Sequence, residues 1–216
     1  MRRKPVRTVC LIGPTGTGKS SSALLVAERF GGEIVNFDSR QVYRDVPITT
    51  DQPGPEKKRR VPHWLYGFLG PREKVDAGGF ARHAEEVMEG IADRGGLPVL
   101  VGGTGLYLQA ILYGLAPIPK TPDSLRERVL AEYDEKGPDA SHARLAEIDP
   151  ETASAVSPGD RQRVTRAIEV YEHTGRPISW WRRRYEREAP RHSALKIGMD
   201  PDRQRLRQDL EDRIEA

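Results

Sequence analysis

Two patterns of apolar and polar positions alternate along the first half of the chain. Three short apolar runs, at 7–12, 33–37 and 97–101, each have the length of a buried strand. Apolar residues recur at helical spacing over 20–30 and 80–94, and a further helix is predicted from 106 to about 113. Strands that alternate with helices predict a parallel sheet in an α/β fold. Four prolines at 47, 53, 55 and 62 predict an irregular stretch between the second and third runs.

The pattern changes after Pro117. No strand is indicated from 120 to about 191, where helices are predicted over 125–133, 141–148, 161–174 and 178–188. A strand is then predicted at 195–199 and a helix from 202 that is still in progress at 216. We therefore expect a core over 1–119, a helical insertion over 120–191 and a return to the core over 192–216.

Composition narrows the class of protein. The 216 residues are 37% hydrophobic and 31% charged, and they include one cysteine, Cys10, which we expect in the core. A single cysteine excludes a disulfide framework and a cysteine-based zinc site. No apolar stretch is long enough to span a membrane, and the default expectation is a reducing, cytoplasmic setting.

Arginine is distributed unevenly, although the net charge is only +3. Between Arg161 and Arg191 there are nine arginines against four glutamates. Such a block fits a polyanionic partner, and a solvated helix face is the alternative. Within the block, Trp180 and Trp181 precede three arginines, a mixture found on nucleic-acid-binding surfaces, although the indoles could equally pack the helical region.

One motif points directly to chemistry. It fits the phosphate-loop pattern G-x-x-x-x-G-K-[ST] in full, between an apolar run and a helix, and consists of Gly13, Pro14, Thr15, Gly16, Thr17, Gly18, Lys19 and Ser20. In such a loop the backbone amides and the helix N-terminus bind phosphate oxygens, the lysine adds a charge and the Ser20 hydroxyl can hold Mg²⁺. The motif alone does not specify which phosphate compound is bound.

A phosphoryl-transfer enzyme of this type usually carries a metal-binding aspartate at the end of another strand. The run at 97–101 ends in Gly102-Gly103-Thr104, without a carboxylate, whereas the run at 33–37 ends in Asp38. Because ligands bind at the carboxyl ends of parallel strands, Asp38 is expected near the phosphate loop. It could be a metal ligand, a general base or a turn residue.

Three motifs in this order make a family resemblance recognisable. The phosphate loop is followed by Asp38-Ser39-Arg40-Gln41-Val42-Tyr43 and by Gly102-Gly103-Thr104-Gly105-Leu106-Tyr107. Further matching segments are Pro62-His63, the block 160–170 and Thr174-Gly175-Arg176-Pro177. Together they make the chain resemble the tRNA dimethylallyltransferase family over essentially its whole length. The resemblance implies a P-loop NTPase-like parallel sheet with helices on both faces and an α-helical, tRNA-binding insertion.

The resemblance also implies an activity and its site residues. Family members transfer a dimethylallyl group from its pyrophosphate to the exocyclic amine of the adenosine 3′ to the anticodon. The implied catalytic residues are Asp38 as the base, with Thr17 and Lys19, and the phosphate loop would hold the pyrophosphate with Mg²⁺ at Ser20. The residues implied to contact tRNA are Asp38, Ser39, Arg40, Gln41, Thr104, Arg126, Gln162, Arg163, Val164, Thr165 and Arg166. The implied partners are the tRNA anticodon stem-loop and dimethylallyl pyrophosphate, with no membrane, and the protein is expected to be a monomer.

Elementary chemistry agrees with these roles. An adenine amine is a weak nucleophile, and a carboxylate that removes its proton as the bond forms contributes about 10²–10⁴-fold. A phosphate loop with Mg²⁺ can stabilise a leaving pyrophosphate as well as a transferred phosphoryl group. Stabilisation of a leaving group would explain why the run at 97–101 is not followed by the metal-binding aspartate that is usual in phosphoryl-transfer enzymes. Arg163 and Arg166 share a helix face suited to a phosphate backbone, or to an ion pair with Glu169.

The chain departs from the family pattern in places. A basic residue usual in the family is replaced by Gln52, and members run on by about a third of this length, so that a truncated chain is expected. Three other functions stay open. They are prenylation of free adenine nucleotides, a P-loop kinase or NTPase, and a tRNA-binding fragment without activity.

Overall fold

The computed structural model describes residues 5–185 and 190–215. It divides into two compact units, which are described separately. Unit 1 comprises residues 1–114 and 189–216, and unit 2 comprises residues 115–188.

Unit 1 is built on a five-stranded sheet in which every pairing is parallel. Its strands, numbered in chain order, are β1 (Arg7–Ile12), β2 (Gly32–Asn36), β3 (His63–Trp64), β4 (Leu97–Gly102) and β5 (Ser193–Gly198). The spatial order is β3-β2-β4-β1-β5. The carboxyl ends of β1, β4 and β2 therefore lie side by side along one edge of the sheet, the usual place for a ligand in such folds.

The helices of unit 1 cover this sheet. They are α1 (Lys19–Phe30), α2 (Pro55–Arg60), α3 (Ala77–Asp93), α4 (Gly105–Tyr113) and α9 (Arg203–Glu215). On one face, α1 packs Ala23, Leu24 and Ala27 against Leu11 and Val99 of the sheet. The alternate strand residues point to the opposite face. α3 packs against β2 and β4 without entering the α1 cluster, and its Phe80 stacks on Tyr107 of α4 at 4.1 Å.

Among its described residues, unit 2 contains helices and no strands. Its helices are α5 (Asp123–Ile148), α6 (Pro150–Ala155), α7 (Arg161–Thr174) and α8 (Ile178–Tyr185). Apolar side chains of all four form its core, including Val129, Leu145, Val164 and Ile178. α5 is interrupted at Gly137, whose φ of 83° lies in the left-handed region that glycine tolerates, directly before Pro138.

The predicted α/β fold with a parallel sheet is confirmed. The prediction missed β3, α2 and α6, which are two to six residues long and too short to show a periodicity. The two helices predicted at 125–133 and 141–148 correspond to the helical segments of α5 on either side of Gly137. The last three residues of the helix predicted at 178–188 lie outside the described residues. Across the described chain, none of the helices combines the length and the apolar character needed to cross a membrane.

Candidate active site

The phosphate loop, residues 13–20, connects β1 to α1 at the carboxyl edge of the sheet. Gly16 and Gly18 have φ values of 87° and 78°, so the loop uses glycine where other residues would be strained. The Thr17 hydroxyl donates to the Pro14 carbonyl at 3.0 Å, and the Lys19 ammonium also donates to that carbonyl. Lys19 and Ser20 form the first turn of α1, where the unpaired amides and the helix dipole favour an anion.

Residues from the end of the chain cover this loop. Met199 donates its N–H to the Ile12 carbonyl at 2.7 Å, and its own carbonyl lies against Gly13, where a Cβ would come within 2.6 Å. Leu206 and Leu210 of α9 pack on Gly16, where an added Cβ would lie 2.8 Å from Leu210. This contact was not predictable from a sequence motif, because it depends on how α9 packs against the loop.

Asp38 lies two residues beyond β2 and is held by its neighbours. The buried Asn36 side chain accepts from the Asp38 N–H at 2.8 Å and donates to the Asp38 carbonyl at 3.2 Å and the Leu65 carbonyl at 2.9 Å. The Arg40 N–H donates to Asp38 Oδ1 at 2.9 Å. These bonds fix the position of the carboxylate. Asn36 was missed by sequence reasoning, and its polar side chain within an apolar run was the available signal.

Thr104 links β4 to the segment after β2. Its hydroxyl accepts from the Ser39 N–H at 2.9 Å and donates to Ser39 Oγ at 3.2 Å. Two residues expected to contact tRNA are thus brought together within unit 1, next to Asp38.

Two glutamines hold the loop at 46–52. The Gln41 amide donates to the Thr50 and Asp51 carbonyls at 2.8 and 2.9 Å, and the Gln52 amide donates to the Tyr43 carbonyl at 2.7 Å. Asp51 lies in the left-handed region, with a φ of 55°. Gln52, which stands where the family usually has a basic residue, therefore supplies a donor to a backbone carbonyl. The amide of Gln41 is used within the protein, so its described contacts are those of a positioning residue.

These segments enclose an open cavity of about 630 Å³. Its lining consists of Thr15, Asp38, Arg40, Tyr43, Val46, Ile48, Thr49, Thr50, Asp51 and Leu210. A phosphate-loop residue, the Asp38 carboxylate and exposed apolar side chains thus face the same space. The cavity is large enough for a small ligand with one anionic and one apolar part.

The charges around the cavity influence one another. Burial lowers the pKa of Lys19, and the carboxylates of Asp38 and Asp51 partly offset this effect. Burial raises the pKa of Tyr66, and the same two carboxylates raise it further. Lys19 and Tyr66 therefore both lie within electrostatic range of Asp38 and Asp51. Asp51 and Tyr66 were missed by sequence reasoning, because they are distant in sequence from the recognisable motifs.

The side chains that could bind a metal ion are few in this site. Among the residues that the structure describes, no three histidine, cysteine or acidic side chains form a cluster that could hold a metal ion. Mg²⁺ commonly keeps several waters and binds through one or two protein groups plus substrate phosphates. Ser20, in the first turn of α1, fits that mode of binding.

The remaining residues expected to contact tRNA lie in unit 2. Arg126, Gln162 and Arg163 are exposed. Arg163 lies 3.4 Å from the Asp160 carboxylate, and Arg166 donates to the Thr121 hydroxyl at 2.8 Å and lies 3.4 Å from Glu169. Arg166 therefore takes part in the ion pair with Glu169 that was the alternative interpretation.

Two of the expected tRNA contacts require correction. Val164 is fully buried in the core of unit 2, and Thr165 is 2% exposed with its hydroxyl donating to the Arg161 carbonyl at 2.8 Å. Their side chains face the interior of the helical unit and are not accessible to a ligand. The expectation failed because a run of five helical residues necessarily includes positions on the buried face.

The fold and the phosphate loop define a P-loop α/β protein with a helical unit. A model of the IPP transferase family matches residues 41–216. The chain belongs to this family, and its residues 13–20 supply the phosphate loop outside the matched segment.

Curated relatives of the chain are named tRNA dimethylallyltransferases. The chain is 48% identical over 214 residues to a tRNA dimethylallyltransferase of Maridesulfovibrio salexigens, covering 99% of this chain and 69% of the relative. It is 49% identical over 197 residues to one of Parvibaculum lavamentivorans, covering 91% of this chain and 62% of the relative. The chain thus spans about two thirds of the length of these relatives.

Solved structures share the architecture. A eukaryotic dimethylallyltransferase acting on tRNA has a TM-score of 0.81 and 28% identity, with 97% of this chain and 52% of that chain covered. A tRNA isopentenylpyrophosphate transferase from Staphylococcus epidermidis has a TM-score of 0.62 and 32% identity, with 98% and 69% covered.

Proposed function

We propose that this chain forms the catalytic part of a tRNA dimethylallyltransferase. It would transfer a dimethylallyl group from dimethylallyl pyrophosphate to the exocyclic amine of the adenosine 3′ to the anticodon. The observation that carries the proposal is that Thr15 of the phosphate loop and Asp38 line the same cavity. The names of the relatives support the same activity over the alternatives.

The chemistry assigns a separate task to each side of the cavity. The bond between the adenine amine nitrogen and the first carbon of the prenyl group forms as the bond from that carbon to pyrophosphate breaks. The amine proton passes to Asp38, whose Oδ1 is fixed by the Arg40 N–H. The negative charge that develops on pyrophosphate is stabilised by the loop amides, the N-terminus of α1 and Lys19.

Mg²⁺ is part of this proposal, with Ser20 as the protein ligand and the pyrophosphate supplying further oxygens. When bound, the ion neutralises charge on the leaving group. Thr17 and Lys19 are tied to the Pro14 carbonyl, so they support the shape of the loop that receives the pyrophosphate.

The proposed macromolecular substrate is the tRNA anticodon stem-loop. The exposed Arg126, Gln162 and Arg163 of unit 2 support this part of the proposal, because exposed arginine suits a phosphate backbone. The target base must leave its stack to react, which is easier in a single-stranded loop. We also propose that the protein acts as a monomer in the cytoplasm, which sedimentation and cell fractionation would test.

The decisive experiment offers labelled dimethylallyl pyrophosphate to the protein with either tRNA or AMP as acceptor. We expect label in tRNA, with Asp38→Asn reducing the rate at least about 10²-fold while pyrophosphate binding is retained. The matched control is Asp45→Asn, which removes an exposed carboxylate that does not line the cavity.

Each rival function has its own outcome in this assay. Label in AMP alone would identify an adenine-nucleotide prenyltransferase, and ATP hydrolysis at enzymatic rates without prenyl transfer would identify an NTPase. Binding of tRNA with no transfer to either acceptor would identify a tRNA-binding fragment without activity. An Asp38→Asn rate equal to the wild-type rate would remove Asp38 as the base.

A further inference from the structure

Unit 2 carries an aromatic ring with two arginines stacked on it. The guanidinium carbons of Arg176 and Arg184 each lie 5.3 Å from the centroid of the Trp180 ring. We call these three residues the Arg–Trp stack. Trp180 and Arg184 lie on α8, and Arg176 lies in the turn that precedes it. The contact between Arg176 and the ring was therefore not predictable from helical spacing.

A second indole anchors the stack to the core. Trp181 meets Trp180 edge-on, with centroids 5.1 Å apart and planes at 89°. Trp181 packs against the core of unit 2 and donates its ring N–H to the Thr174 hydroxyl at 3.3 Å. The sequence left open whether the two tryptophans pack the helical region or form a nucleic-acid-binding surface, and in the structure they differ. Trp181 packs the helical unit, and Trp180 forms a partly exposed platform held in place by it.

Other arginines of unit 2 form ion pairs. Arg183 pairs with Glu151, and Arg166 pairs with Glu169. Arg176 and Arg184 are exposed and form no ion pair with any residue in the described ranges 5–185 and 190–215. A cation–π contact restrains each guanidinium group, and its N–H groups that do not face the ring stay available for an oxyanion.

Two guanidinium groups that contact one ring and form no ion pair with a described residue suit an anion with regularly spaced charges. We propose that the Arg–Trp stack is a contact site for the phosphate backbone of RNA. This inference rests on the proposed function, in which RNA is the substrate. It adds a second contact to unit 2, because Arg163 and the stack are separated by nearly the whole length of α7, about 17 Å at 1.5 Å per residue.

The test measures binding of a tRNA anticodon stem-loop as a function of salt, apart from any chemistry. The variant is Arg176→Gln with Arg184→Gln, which removes two exposed charges and leaves Trp180 in place. Loss of two phosphate contacts should reduce the slope of log K against log salt by about 1.4 to 1.8, and weaken binding about 30-fold at 0.1 M salt. The prenyl-transfer rate at saturating tRNA should stay unchanged.

The matched control is Lys136→Gln, which removes an exposed charge of unit 2 that is paired with Glu132 and is not part of the Arg–Trp stack. We expect it to change the salt slope by less than about 0.3. As a second variant, Trp180→Leu keeps both arginines but removes the platform. It should weaken RNA binding and abolish the part of the fluorescence quenching by RNA that Trp180 contributes.

The outcomes separate this inference from the proposed function. An unchanged salt slope in the double variant overturns the inference even if the wild-type protein modifies tRNA. A reduced slope in a protein that transfers no prenyl group supports the inference while the proposed function fails. A lower melting temperature with an unchanged slope identifies the stack as structural. Loss of binding to anionic vesicles, with RNA binding intact, assigns it to a membrane surface and also overturns the inference.

Discussion

Gly102 allows β4 to approach the backbone that follows β2 closely. It ends β4, and a Cβ placed on it would lie 2.7 Å from the Phe37 carbonyl carbon and 2.9 Å from the Asp38 nitrogen. Both are backbone atoms, so they cannot rotate away as a flexible side chain can. Gly102→Ala must therefore push the Phe37–Asp38 backbone away from β4.

The size of this displacement can be worked from the distances. Ordinary contact begins at 3.4 Å, and the closest atom is at 2.7 Å, so the gap must open by about 0.7 Å. Overpacking of this kind costs about 2 kcal/mol, which lowers the melting temperature of a domain of this size by about 4 to 8 °C. A catalytic group displaced by about 1 Å can lose about 10²-fold in rate. The effect on chemistry should therefore exceed the effect on folding.

Single-turnover transfer of a labelled dimethylallyl group measures the chemical step, and thermal melting measures the stability of the same sample. Gly105→Ala is the matched control, because nothing lies within 4 Å of its Cβ and it begins α4, where alanine is favourable. We expect a loss of about 10²-fold for Gly102→Ala and near wild-type rates for Gly105→Ala. Equal rates in two folded variants would show that the close approach at Gly102 does not position Asp38.

Three further substitutions test other parts of the molecule. Gln41→Leu removes two donors to backbone carbonyls, each worth about 1 kcal/mol, so steady-state kinetics should show kcat/KM reduced by up to about 30-fold. Gln41→Glu should not restore it, because an ionised carboxylate donates nothing. Thr104→Val leaves the Ser39 N–H without its acceptor and should cost about 1 to 2 kcal/mol in urea unfolding, whereas Thr104→Ser should cost little. Burial raises the pKa of Asp149, but hydrogen bonds from Ser179 and Thr152 outweigh burial and hold it below the ordinary value of 3.8. The stability that this carboxylate contributes is present above about pH 4 and is lost as the pH falls through the lowered pKa, so melting of Asp149→Asn should show a lower midpoint at pH 7 and a weaker loss in acid.

The fold was predictable where the chain repeats a pattern for long enough. α1, α3, α7 and the strands with runs of five or six residues follow from periodicity alone. β3 was not predictable, because two residues between prolines and glycines carry no alternation, and its place beside β2 is fixed by tertiary pairing of Ile34 with His63. The two helices predicted within α5 also agree with the structure, because the left-handed φ of Gly137 separates the helical segments on either side of it.

The candidate site was predictable to the extent that its groups form contiguous motifs. The phosphate loop and Asp38 stand out because their residue types are unusual at the ends of apolar runs. Asp51 and Leu210 line the same cavity from the loop at 46–52 and from α9, and only the folded chain brings them there. Val164 shows the opposite error, in which a residue inside a recognisable segment was assigned to a surface that its helix face does not reach.

The strand order explains how a phosphate loop can serve a leaving group. β4 separates β1, which leads into the phosphate loop, from β2, which leads to Asp38. The phosphate loop and the Asp38 carboxylate therefore lie on either side of the end of β4. A carboxylate at the end of β4 itself would lie beside the phosphates, as metal binding for phosphoryl transfer requires. This chain has Gly103 there instead, with the Gly13 carbonyl at 3.4 Å and Asp38 Oδ2 at 3.9 Å from its Cβ position. The absence of a side chain leaves a gap between the anion site and the base, and the proposed bond between the adenine amine and the prenyl carbon would form in that gap.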